Sequence, residues 1–243
     1  MGNVLSPDAR SVLVVVAHPD DAEFMASGTI ALWSRQGKEI NYVLCTRGDK
    51  GTSDPSVTPD ALATVREREQ REACSRLGVR DLEFLGYEDG VLESTLDLRR
   101  DIVRQIRRFR PDIVLCQDPM TRWTAQGYLN HPDHRAAGDA TLDAVFPSAR
   151  DRHVFPELLE EGLEPHKALE VYLMGTTNAD VWVDISPTLN DKLHALRAHE
   201  SQVGSAVRPV DWDLEKVIRE RAERLGEGQG IKYAESFKYF QLR

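Results

Sequence analysis

Two short stretches of this 243-residue chain hold imidazole and carboxylate at high density: Ala17-His18-Pro19-Asp20-Asp21-Ala22-Glu23 and Asn130-His131-Pro132-Asp133-His134-Arg135. Each contains His-Pro-Asp. One copy of that tripeptide is an ordinary turn or helix cap, because Asp accepts hydrogen bonds from nearby backbone amides. Two copies at loop-to-helix junctions, the first directly behind an apolar run, point instead to a metal site. Catalytic zinc takes three protein ligands of His and carboxylate type and keeps a fourth position for water. His18 and Asp21, three apart at a strand-to-helix turn, can converge on one ion, and His134 can complete the set from the second stretch. Fe²⁺, Co²⁺ or Ni²⁺ can replace Zn²⁺ in a site of nitrogen and oxygen donors.

Proline restricts the residue before it to extended backbone, so His18 and His131 are expected at the mouth of a sheet, aimed at a common point. Asp20 is the spare carboxylate. A cation that acidifies water needs a nearby base to take the proton, and Asp20 is the candidate. His131, three residues before His134, is placed to stabilise an oxyanion and protonate a leaving amine. The remaining histidines, His153, His166, His194 and His199, lie outside these stretches, and the first three read as surface or core residues.

These residues need elements to position them. Ser11 to Val16 is a continuous Val/Leu run of strand length, apolar on both faces as a central parallel strand must be. Thr29 to Gln36 reads as helix stopped by Gly37, and Ile40 to Cys45 as a second strand. A polar loop from Thr46 to Pro59 leads into a charged helix from about Asp60 to Leu77, with Gly78 as its stop. Leu82 to Leu85 and Ile113 to Cys116 read as strands around a helix at Leu96 to Phe109. After Gln117 a long loop runs to Leu129, and a helix opens near Pro132. Val171 to Met174 and Val181 to Ile185 look like late strands, Pro187 to His199 and Leu214 to Leu225 like late helices. The alternation predicts one α/β domain over residues 1–243, Rossmann-like, with a mostly parallel sheet covered by helices on both faces. Ligands of such sheets bind beyond the carboxyl ends of the strands, where His18 to Asp21 and Thr46 to Asp49 fall.

Composition narrows the partners. The formal charge of −9 disfavours general binding to phosphate backbones, so nucleic acid is not expected. Cys45, Cys74 and Cys116 are far apart and odd in number, which suits a reducing compartment rather than a disulfide framework. Met1 to Arg10 lacks the apolar segment of an export signal, and no apolar stretch reaches the roughly 18 residues of a membrane span. A cytoplasmic protein without a membrane partner is the expectation.

The pair of motifs resembles the signatures of the PIG-L/LmbE-like deacetylase superfamily, the first motif being highly specific. The similarity extends to Thr46-Arg47-Gly48-Asp49, Arg66, Asp89-Gly90, Val183-Asp184-Ile185-Ser186, Ala198-His199-Glu200-Ser201-Gln202 and the ending from Gly230 to Phe237. That ending resembles the bacillithiol-type branch, which implies a homo-oligomer, a hexamer in many members. The resemblance implies a Rossmann-like domain holding Zn²⁺ through His18, Asp21 and His134, with Asp20 as general base and His131 as oxyanion and acid residue. It further implies removal of acetyl from a small N-acetylglucosamine conjugate, with Arg66 and Asp89 on the substrate side. His199 and Gln202 would line the site or a subunit contact. Tyr128 stands farther from His131 than the tyrosine of relatives that use one, so Trp123 and Tyr128 are read as candidates for stacking on a sugar face.

Three other readings compete. A thiol-conjugate amidase would use the same metal centre on a larger acyl group. A nucleotide-binding Rossmann protein would need a Gly-x-Gly-x-x-Gly cradle where His-Pro-Asp-Asp stands. A structural metal module normally supplies four protein ligands, and only three good ones are found.

Overall fold

The computed structural model describes residues 8–125 and 127–242. Residues 1–7 of the segment tested for an export signal, and Gln126 in the long loop, lie outside the described residues. One seven-stranded sheet runs through the described residues: β1 (Ser11–Val16), β2 (Glu39–Thr46), β3 (Asp81–Tyr87), β4 (Ile113–Gln117), β5 (Glu170–Met174), β6 (Val181–Asp184) and β7 (Ala234–Gln241). Their spatial order is β3-β2-β1-β4-β5-β7-β6. The first five are mutually parallel where they pair, while β7 runs antiparallel to both β5 and β6. The order reverses at β1, between β2 and β4, and such a switch point leaves a crevice at the carboxyl ends of the strands.

Strand alternation divides the core. Val12, Val14 and Val16 of β1 face one apolar cluster, Leu13, Val15 and Ala17 the other. The first cluster is closed by α1 (Asp21–Arg35), the end of α2 (Pro59–Leu77), α6 (Leu189–Leu196) and α8 (Leu214–Gly226). The second is closed by α3 (Leu96–Phe109) and α4 (Pro132–Asp143). The short helices α5 (Glu157–Glu160) and α7 (Glu200–Val203) lie in connections. Helices on both faces therefore match the expected architecture.

Local signals explain the boundaries. α2 starts where the Thr58 hydroxyl accepts from Ala61 N at 3.3 Å, with Pro59 as its first residue, and stops at Gly78 in a left-handed conformation, φ 73°. α3 occupies the expected Leu96 to Phe109, capped by Thr95. Three expectations need correction. α1 begins at Asp21, eight residues before the predicted Thr29, because the acidic first turn packs its carboxylates inward. The late helix spans only Leu189–Leu196 of the predicted Pro187 to His199. No strand was read in the ending, yet β7 forms there and inserts between β5 and β6.

That inserted strand carries Glu235, whose burial explains how the C-terminal region locks α1. Its carboxylate accepts from Gly28 N at 3.0 Å, Thr29 N at 2.7 Å and Lys192 Nζ at 2.6 Å. Lys192 also donates to Phe24 O at 2.9 Å. Both side chains are almost fully buried. Burial pulls the Lys192 amine below its usual range even with Glu235 beside it. Removing one partner of such a pair leaves an uncompensated charge in the interior, which costs about 3–5 kcal/mol. Glu235→Ala is expected to lower unfolding free energy in urea by that amount, whereas Lys238→Ala, breaking the more exposed pair with Asp180 on the same strand, should change it by about 1 kcal/mol or less.

Candidate active site

His18 leaves the end of β1, Asp21 opens α1, and His134 sits in the first turn of α4. α4 reaches the crevice because Gly138 packs against Gln117 O of β4, where a Cβ would collide with that carbonyl. The turn between β1 and α1 is strained. Asp20 has φ 87° and ψ −20°, a left-handed conformation that costs a non-glycine residue on the order of 1–3 kcal/mol. Such strain persists only when surrounding contacts over-determine it. Here Arg66 Nη2 donates to Pro19 O at 2.6 Å and to Asp20 Oδ2 at 3.3 Å, and the Asp20 amide donates to Gln70 Oε1 at 3.0 Å.

The structure brings His18, Asp21 and His134 together. One ligand atom from each lies within 4.8 Å of the others. The Asn130 side-chain oxygen stands 3.0 Å from His134 Nδ1, and because that oxygen can only accept, it places the ring proton on Nδ1. His134 Nε2 then presents a lone pair 3.0 Å from Asp21 Oδ1. Two acceptors at that separation repel unless a proton or a metal cation is shared between them. The other Asp21 oxygen is fixed by His18 N at 2.8 Å and Gln117 Nε2 at 3.0 Å. This outer ring of Asn130 and Gln117 orients the donors as partners of metal ligands do.

Around His18 the field is strongly negative. Burial by itself would hold its pKa down, but Asp133, Asp21 and Asp89 overcome that and push it up to about 12. His18 Nε2 is 3.0 Å from Asp89 Oδ1 and 3.2 Å from Asp133 Oδ2. Asp89 is driven the other way: its burial is outweighed by His18 and by the Lys50 amide at 3.0 Å, bringing its carboxyl down to about 2. A site that gathers this many carboxylates around imidazole nitrogens suits a cation, and two histidines with one carboxylate suit catalytic zinc. The residues present fit the metal.

Asp20 stands beside these donors without being one of the clustered trio. Burial, together with Asp21 and Glu23, raises its carboxyl to about 6 against the opposing pull of Arg66 and His199. His131 caps α4: its Nδ1 accepts from Asp133 N at 3.2 Å, so the neutral ring carries its proton on Nε2. Burial and the neighbouring His18 lower its pKa. Its ring centroid is 4.8 Å from that of His18.

The two residues expected on the substrate side are placed differently. Asp89 lies in the cluster, as just described. Arg66 is buried, and its guanidinium donates to Pro19 O, Asp20 Oδ2 and Gly48 O, the last at 3.0 Å. Gly48 and Gly51 lack the side chains that would strike it. His199 is fully buried, with Nε2 3.4 Å from Glu23 Oε2, while Gln202 reaches the Gly51 carbonyl at 3.2 Å. His153 and His194 are exposed, and half-buried His166 contacts Pro111 O at 2.8 Å. In the long loop Trp123 and Leu129 form an antiparallel bridge. Alternation puts Tyr128 on the face of Asn130 and opposite that of Trp123 and Leu129. The Tyr128 phenol is raised by burial and by the charge of Asp21, though the residue is exposed.

Sequence reasoning passed over Asp133, Asn130 and Gln117. Asp133 is fully buried and accepts from Gly90 N at 2.7 Å and Leu92 N at 3.3 Å, tying the Asp89 loop to α4. Its signal was its place inside the second motif. Asn130 precedes His134 by four residues, and Gln117 ends a buried strand, which is where site residues of parallel sheets collect.

Fold and site together define an α/β protein with a carboxylate- and histidine-rich candidate metal site at the mouth of a parallel sheet. Residues 13–145 match the PIG-L family model, described as GlcNAc-PI de-N-acetylase. The chain is 36% identical over 233 residues to diacetylchitobiose deacetylase of Thermococcus kodakarensis, covering 96% of this chain and 84% of that one. It is 29% identical to a probable N-acetyl-alpha-D-glucosaminyl L-malate deacetylase 2 of Bacillus anthracis, covering 89% and 92%. Its fold superposes on N,N'-diacetylchitobiose deacetylase from Pyrococcus horikoshii with a TM-score of 0.87 and 33% identity, covering 96% and 85%. The chain belongs to the PIG-L family.

A cation held by the native cluster and not by the unfolded chain must stabilise the fold. Zn²⁺ added to metal-free protein at 100 times its dissociation constant is expected to add about 2.7 kcal/mol, read as a rise in Tm, and Asp21→Asn should remove the rise.

Proposed function

We propose that this chain is a zinc-dependent N-deacetylase that releases acetate and a free amine from a small N-acetylglucosamine-type conjugate. The observation that carries the reading is the convergence of His18, Asp21 and His134 beside Asp20, in a family whose relatives bear deacetylase names. In it, His18, Asp21 and His134 hold Zn²⁺. When bound, the ion supplies Lewis acidity for the amide carbonyl and for the attacking water.

The chain's own groups supply the rest. Asp20, raised toward neutrality and held by Arg66, takes the proton from the attacking water. His131 offers its Nε2 proton to the carbonyl oxygen as charge develops there. Proton delivery to the departing nitrogen falls to His131 or to Asp20 returning the proton it took. Asp89, beside His18 in the cluster, supplies an acceptor for a sugar hydroxyl that reaches it. Arg66 serves the substrate through the groups it holds, the Asp20 carboxylate and the Gly48 loop.

The three cysteines are free and buried, which supports a reducing, cytoplasmic setting, and no helix among the described residues is long and apolar enough to cross a membrane. The homo-oligomer implied by the family resemblance, a hexamer, belongs to the same proposal.

Separating metal loss from loss of the base tests the roles. Asp20→Ala should retain stoichiometric metal and lose more than about 100-fold in kcat, within the span that general acid–base catalysis contributes. His18→Ala and His134→Ala should lose both metal and activity. Metal analysis beside a free-amine assay on N-acetylglucosamine, its inositol and malate glycosides and diacetylchitobiose reads all three variants. Full turnover in Asp20→Ala refutes the base, and release of a larger acyl group in place of acetate refutes the substrate class.

A further inference from the structure

Behind the strained turn lies a buried polar chain that the proposed chemistry does not use. Gln70 is almost fully buried on α2, one helical turn after Arg66 and on the same face. Its Oε1 accepts from the Asp20 amide at 3.0 Å and its Nε2 donates to Glu23 Oε1 at 3.0 Å. Glu23 is fully buried on α1, and fully buried His199 lies 3.4 Å from its other oxygen. His199 is held in turn by α2, because Glu69 accepts from Ser201 N at 2.9 Å and Ser201 Oγ at 2.6 Å.

A primary amide can present either end to a neighbour, and the Asp20 N–H requires the oxygen. The Glu23 oxygen accepts from the NH₂ end of Gln70, which leaves the Gln70 oxygen facing Asp20. The Asp20 backbone needs that contact. Its left-handed conformation is unfavourable for a non-glycine residue, and it decides where the adjoining carboxylate points. Arg66 fixes the Pro19 carbonyl and one carboxylate oxygen, but a guanidinium has no acceptor and cannot satisfy the amide.

We propose that Gln70 is a positioning residue for the Asp20 carboxylate: its side-chain oxygen holds the Asp20 amide in the left-handed turn, and Glu23 acts as the key that fixes which end of the Gln70 amide faces it. This rests on the reading of Asp20 as the base. It places one determinant of proton transfer in the interior, away from metal and substrate.

The test uses the full-length, zinc-loaded protein, with acetate release from diacetylchitobiose and metal content measured together. Gln70→Met should lower kcat about 10- to 100-fold while KM and zinc content stay within about twofold, the effect expected of a lost outer partner and a displaced catalytic group. Gln70→Glu, nearly isosteric, should fall at least as far, because two carboxylates then oppose each other. In the double variant Glu23→Gln/Gln70→Glu the amide at position 23 donates to the carboxylate at position 70, which still accepts the Asp20 amide, and kcat should recover at least fivefold over Gln70→Glu alone. A purely structural role would lower the yield of folded protein without this kcat-specific loss and rescue. An unchanged kcat in Gln70→Met overturns the proposal, as does a double variant no more active than Gln70→Glu. Turnover retained in Asp20→Asn instead overturns the reading of the base, and the inference with it.

Discussion

Asp21 Oδ1 and His134 Nε2 face each other across 3.0 Å at the carboxyl end of the sheet, close enough to share a proton or a cation. The groups around the site hold that pairing in place. Asn130 directs the His134 lone pair inward, Gln117 and the His18 amide pin the remaining Asp21 oxygen, and Asp133 and Asp89 add negative charge at His18. Buried like charges are strongly disfavoured unless something positive answers them, so this concentration of acceptors suits a cation or a protonated imidazole. The same field separates the carboxylates: Asp89 is drawn down, while Asp20, set aside from the donors, rises toward neutrality.

The sheet makes that convergence possible. β1 and β4 are adjacent and parallel, so the turn after β1 and the helix following β4 emerge at the same edge. Because β1 is apolar on both faces, it is held by two cores at once, and the register of His18 cannot slip without moving Val12 to Val16 between them. Rigidity at the strand end then supports strain one residue beyond Pro19. α2 bears much of that strain: Arg66 and Gln70 reach the turn from successive helical turns, and Glu69 between them anchors the segment after His199.

The C-terminal strand works at a distance from the chemistry but on the same helix. Glu235 and Lys192 bond backbone groups in the middle of α1, whose first residue is the Asp21 ligand candidate. Register of α1 along its axis is thus tied to β7 and α6. A buried ion pair is a poor source of stability by itself, yet its directional bonds suit the task of fixing a helix whose end must be placed to a fraction of an ångström.

Much of this was legible in the chain. The two His-Pro-Asp stretches named His18, Asp20, Asp21, His131 and His134, and six of the strands and the helix at Leu96 to Phe109 followed from apolar runs and caps, because those signals are local. What the sequence could not disclose depends on partners far along the chain. β7 reads as neither alternating nor uniformly apolar, since it pairs with β5 and β6 and buries the charged Glu235 beside Ala234 and Phe237. The start of α1 was hidden because Asp21 and Glu23, polar by type, point inward to groups on α4, α2 and α7. The resemblance put Arg66 on the substrate side, and only the fold shows it lying beneath two glycines with its guanidinium on the turn. Residue types determined what chemistry was available. The tertiary structure decided which donors come within reach of one another and which residues hold Asp20, because those facts are distances between segments that sequence separation does not encode.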